Sequence, residues 1–159
     1  LLVLLAASLA LAAVPLASCR TTEADRDEIA RNLGLAYAAY TTYVSEPAKA
    51  GKLGPNTAPN SAAAQQAADA AKFATLALEA AREEAAPDQE FASFAQKTAA
   101  AGASLNAVAK ELDAGRPSRG LVAGGLASLE SLNAAARDRG LAVSPQTVSP
   151  ADLSDPPAA

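Results

Sequence analysis

Apolar residues recur three and four positions apart in four successive stretches of this chain, the signature of helices that each bury one face. The first stretch, about residues 23–45, carries Ile29, Leu33, Ala36, Tyr40 and Val44 on one stripe. Thr21 and Thr22 precede it and Glu23, Asp25, Asp27 and Glu28 follow, so a hydroxyl cap is backed by acids facing the positive end of the helix dipole. The second stretch begins after Asn60 and Ser61, either of which can cap it, and stops at Pro87; Phe73, Leu76 and Ala80 mark its face. Its first half has almost no large apolar side chain, so it either packs very closely or frays. The third, about residues 88–114, has the cleanest seam: Phe91, Phe94, Thr98, Ala101, Leu105, Val108 and Leu112 alternate spacings of three and four. Gly115 ends it, and Ser118 is the expected cap of a fourth helix whose stripe is Val122, Leu126, Leu129, Leu132 and Ala136, with Gly140 as its stop.

The connections differ in length. Arg116-Pro117-Ser118 is short enough to make the third and fourth helices antiparallel neighbours. Residues 45–60, by contrast, hold Pro47, Pro55 and Pro59, Gly51 and Gly54, and the cations Lys49 and Lys52. A helix is not expected to continue through them; a loop of this length is the best candidate contact loop in the chain, with a mobile solvated connection preferred over that reading. Residues 141–159 carry four prolines, no basic residue and no period, which predicts a disordered tail. The expected fold is therefore all-α: an up-and-down, alanine-rich bundle of about four helices over residues 19–140, followed by that tail.

Alanine fills more than a quarter of the sequence, while His, Met and Trp are absent and Tyr and Phe number three each. Alanine favours the helix but removes little apolar area when buried, so thin helices packed closely are expected. Gly124 and Gly125 inside the fourth helix cost about 1 kcal/mol each relative to alanine. Either a kink or close approach to a small-residue patch such as Ala101-Gly102-Ala103 offsets that cost. All three tyrosines, Tyr37, Tyr40 and Tyr43, fall on the first helix, where a core edge with phenol oxygens reaching water is preferred over an aromatic contact surface.

Residues 1–17 are uncharged, with Ser8 the one polar side chain, and Pro15 interrupts the run before it reaches the roughly 20 residues of a membrane span. This suits a secretory signal peptide that is removed. The run ends Leu16-Ala17-Ser18-Cys19, which resembles the lipobox of bacterial lipoproteins: a large apolar residue, two small ones, and the chain's only cysteine. The resemblance implies cleavage of residues 1–18, a diacylglycerol on the Cys19 thiol and acylation of its new amino group. The protein would then be held on the membrane through lipid, since two or more acyl chains make attachment stable. The basic segment and Met that open such signals are missing, so either a truncated chain or a non-ATG start read as Leu is expected. Arg20 rather than Asp after the cysteine implies sorting to the outer membrane, facing the periplasm, if the host is Gram-negative.

The balance of charge is 13 basic against 17 acidic side chains, a net of −4, which gives no field for nucleic acid. Without His there is no Ser-His or Cys-His nucleophile, no histidine metal site and no di-iron bundle motif. A lone cysteine makes no internal disulfide, and no phosphate-cradling glycine motif is present. Glu83, Glu84, Asp88 and Glu90 cluster near the second turn, where acids at a solvated turn are preferred over a cation site. No enzyme, cofactor or metal is expected. The leading expectation is a small envelope lipoprotein that presents a helical surface to an envelope protein or the cell wall. The alternative is a carrier or sensor of a small apolar ligand within the bundle.

Overall fold

The computed structural model describes residues 21–54 and 57–157. The expected signal peptide, Cys19 as the expected lipidation site, and the end of the tail lie outside the described residues. Among those described, the architecture is helical throughout, with four long helices packed against one another. They are α1 (Glu23–Tyr40), continued by a π-turn (Thr41–Ser45) and a short α2 (Glu46–Lys49), then α3 (Ala62–Ala85), α4 (Ala92–Asp113) and α5 (Arg119–Arg137). Short 3-10 turns stand at Gln89–Phe91 and Asp152–Ser154. Among the described residues no helix is long and apolar enough to cross a membrane.

The helix starts follow the capping residues of the sequence. Thr22 accepts from the Asp25 N–H while the Asp25 carboxylate accepts from the Thr22 N–H, a complete capping box. The Thr22 backbone N–H and, after it, the Thr22 hydroxyl hold the Asp25 carboxyl below the usual carboxylate range. Ser61 caps α3 and Ser118 caps α5 in the same way, each through its hydroxyl to the amide three residues on. The stops at Gly115 and Gly140 are equally direct. Both have positive φ, 67° and 73°, and both sit in Schellman closures: Arg116 N–H donates to Glu111 C=O, and Leu141 N–H to Ala136 C=O.

α3 is the central element, packed extensively against both α1 and α4. Its sparse first half does not fray: Ala64, Ala67, Ala68, Ala70 and Ala71 are all buried. A methyl-lined helix lets its neighbours approach closely, so burial is achieved by proximity rather than side-chain bulk. The whole α4 stripe, Phe91 to Leu112, is buried, and Phe91 and Phe94 meet edge to face with centroids 6.0 Å apart. One expected core residue is displaced: Leu76 is 39% exposed, and Leu78 takes the buried place. With alanines on nearly every side of α3, the apolar stripe alone did not determine which leucine faces in.

The first helix runs further than expected. Helical backbone continues through Pro47 to Lys49, and the loop proper begins at Ala50. Proline has no N–H to give and its ring needs room against the preceding turn. The π-turn supplies both, because there the Glu46 N–H donates to Thr41 C=O five residues back and the ladder is already widened where the ring arrives.

Residues 141–157, read from composition as a disordered tail, run back across the bundle. Leu141, Val148 and Leu153 are buried, and the 3-10 turn Asp152–Ser154 lies against α3. The crossing over α1 is made at Gly34, where a Cβ would lie 2.5 Å from the Ser144 carbonyl oxygen. This segment is called the strap below.

Candidate functional site

The three tyrosines do not form one surface. Tyr40 is fully buried, and its hydroxyl donates to the Val122 carbonyl of α5 at 2.8 Å, so it does not reach water. Burial pushes its phenol pKa well up. The space it occupies is opened by Gly125, where a Cβ would stand 2.3 Å from the Tyr40 hydroxyl and 2.8 Å from Cζ. Gly125 therefore offsets its helix cost by admitting Tyr40, and not by contact with Ala101-Gly102-Ala103; a Cβ at Gly102 or Gly124 would meet nothing within 4 Å. Tyr43, in the π-turn, donates to the Val148 carbonyl of the strap at 2.8 Å. Tyr37 is half-buried, makes no hydrogen bond to another described residue, and lines a pocket.

That pocket, about 450 Å³, lies between α1, α5 and the strap. Tyr37 and Thr41 stand on the α1 side, Glu130, Asn133 and Arg137 on the α5 side, and Gln146 on the strap. Asn133 is only 8% exposed. Thr41 Oγ1 is buried with no hydrogen-bond partner, a state that costs about 1–3 kcal/mol unless something else satisfies it. Neither Glu130 nor Arg137 takes part in an ion pair with another described residue.

A second concavity, about 380 Å³, runs between α2 and the first half of α5. Its floor is Ala48, Val122, Ala123 and Leu126, with Lys49 and Arg119 at the rim. Of the candidate contact loop, residues 45, 48 and 49 line a groove, Leu53 is buried, and a Cβ at Gly115 would overlap the Pro59 ring.

The acids of the second turn do not converge. Asp88 turns inward and is 4% exposed; its carboxylate accepts from the Glu90 N–H at 2.8 Å and from both the N–H and hydroxyl of Thr21, at 2.9 and 2.8 Å. Glu83 pairs instead with Arg82 on the surface. Among the described residues no group of three or more Asp, Glu, Cys or His is placed to hold a metal ion. Arg26 over the Phe91 ring and Arg139 over the Phe94 ring close the same end of the bundle. Asn133, Glu130 and Arg137 were not singled out from sequence. The available signal was Gly34: a glycine in the middle of an amphipathic helix needs a reason, and the reason is the strap that forms the pocket's third wall.

No protein-family model, no curated protein and no solved structure matches this chain.

Proposed function

We propose that this chain is a non-enzymatic envelope lipoprotein, anchored through lipid on Cys19, whose bundle presents its side to a protein or cell-wall partner. The observation that carries the reading is the conjunction of an uncharged apolar run with Leu16-Ala17-Ser18-Cys19 at its end and the chain's only cysteine there. The tether at Asp88 supports it, since Thr21 is bound to the α3–α4 turn only two residues after Cys19. An anchor at Cys19 would hold that end of the bundle against the membrane rather than on a long leash. Metabolic labelling with a fatty acid in a lipoprotein-processing bacterial host tests the anchor. The expected outcome is label on the wild-type protein and none on Cys19→Ser, which leaves the membrane fraction. Label retained by Cys19→Ser overturns the anchor. Crosslinking in intact cells then tests the presentation reading, with a specific envelope protein or wall fragment expected among the captured products.

A carrier of a small apolar ligand is the second reading, favoured by the apolar floor of the groove between α2 and α5. An environment-sensitive apolar dye displaced by Val122→Glu is the outcome it requires.

A further inference from the structure

We propose that the pocket between α1, α5 and the strap binds a short zwitterionic peptide, with its ammonium group at Glu130 and its carboxylate at Arg137. The inference does not depend on lipid anchoring.

Charge sets the two ends. Glu130 and Arg137 line the same pocket from one helix, carry opposite charge and make no ion pair with another described residue. They are seven residues apart, which at 1.5 Å rise per residue separates their backbones by about 10 Å. Three residues of extended chain span about 10 Å as well. A single amino acid would meet one charge and leave the other, while a neutral polyol would need neither.

The middle of the pocket suits peptide bonds, which bring one donor and one acceptor each. Asn133 lies between the two charges on α5, mostly buried, and its amide makes no hydrogen bond to another described residue. Thr41 supplies a buried hydroxyl oxygen that has no partner. Gln146 brings a second amide from the strap, its Cγ 2.8 Å from where a Gly34 Cβ would lie. Tyr37 adds an apolar ring face. Groups that both donate and accept thus stand between an anion and a cation, and that order matches an ammonium, two amides and a carboxylate.

Titration calorimetry of the full chain in detergent with trialanine, N-acetyl-trialanine, trialanine amide and free alanine tests the proposal. Trialanine is expected to bind, and blocking either end to weaken it about tenfold or more, as loss of one charge-assisted contact does. Glu130→Gln should make acetylated and free peptides bind alike, and Arg137→Gln should do the same for the amide and the free acid. Both side chains are exposed, so neither substitution threatens the fold. No binding of trialanine at millimolar concentration overturns the proposal. Equal binding of blocked and free peptides, or of free alanine and trialanine, overturns it too.

Discussion

Gly124 and Gly125 are neighbours on α5, and alanine at each should move stability in opposite directions. Alanine in a helix interior is about 1 kcal/mol better than glycine. At Gly124 a Cβ meets nothing within 4 Å, so Gly124→Ala should gain most of that increment. At Gly125 the same methyl would stand 2.3 Å from the Tyr40 hydroxyl, 2.8 Å from Cζ and 3.3 Å from a Leu105 methyl. The phenol is the far end of a side chain, but Tyr40 is fully buried and cannot swing aside without opening the core. Overpacking of this kind costs about 1–3 kcal/mol, and losing the bond to Val122 C=O adds about 1 kcal/mol. Set against the helix gain, Gly125→Ala should be destabilising by about 1–3 kcal/mol. Urea unfolding followed by circular dichroism reads this as a midpoint shift with unchanged slope. In Tyr40→Phe, which lacks the atom at 2.3 Å, the added cost of Gly125→Ala should shrink, giving a non-additive cycle. If Gly125→Ala stabilises as much as Gly124→Ala, the account of why a glycine stands there is wrong.

The strap predicts that Gly34→Leu, which puts a side chain where the Ser144 carbonyl and Gln146 lie, lifts residues 143–148 and makes them cleavable by a protease, while the melting of α3 and α4 changes little. Asp88→Ala removes the acceptor of three hydrogen bonds and should cost about 1–2 kcal/mol; hydrogen exchange at the start of α1 should rise selectively, and unchanged protection there would refute the tether. Tyr40 gives a pH dependence with a definite sign. Its folded pKa lies above its unfolded one, so the protonated form is the one the fold prefers; stability is fully present below about pH 10, where the unfolded phenol begins to ionise, and falls as pH rises beyond it. Thermal melts of Tyr40→Phe between neutral and alkaline pH should lose that component of the slope.

The parts of this fold legible from sequence are those where one residue type carries one role. The α4 stripe is read correctly because its large side chains have alanines or polar residues between them. Thr22, Ser61, Ser118, Gly115 and Gly140 act locally, through bonds within a few residues of themselves. Alanine-dense α3 is different. Where every side is small enough to bury, periodicity does not choose between Leu76 and Leu78. The π-turn is invisible for another reason: Pro47 signals a break, and the sequence does not say that five residues of wider helix precede it. Neither the strap nor the pocket could be read from local pattern, because Gly34, Tyr43 and Asn133 acquire their roles from residues at the far end of the chain or on another helix.

The bundle has two unlike ends, and this bears on how an anchored protein would meet a partner. Thr21, Asp88 and Arg139 gather at the end where α1 begins and α5 finishes, while Lys49, Lys52, Arg116 and Arg119 belong to the loops and helix ends opposite. With Cys19 lipidated, the first end would face the membrane and the cationic end would project from it, some 35 Å away if the 24 residues of α3 stand upright. Tyr37 lies 14 residues beyond Glu23, about 20 Å up that axis. The pocket would open to the side, clear of the bilayer surface, and Arg137 would be its membrane-proximal end with Glu130 above it. A peptide bound there would therefore lie with its amino end pointing away from the membrane. That polarity is a consequence of anchoring and pocket together; tripeptides with both termini free and a spin label on the side chain of the first or the third residue report it on protein held in vesicles, and a first-residue label closer to the bilayer than a third-residue one would break the combination.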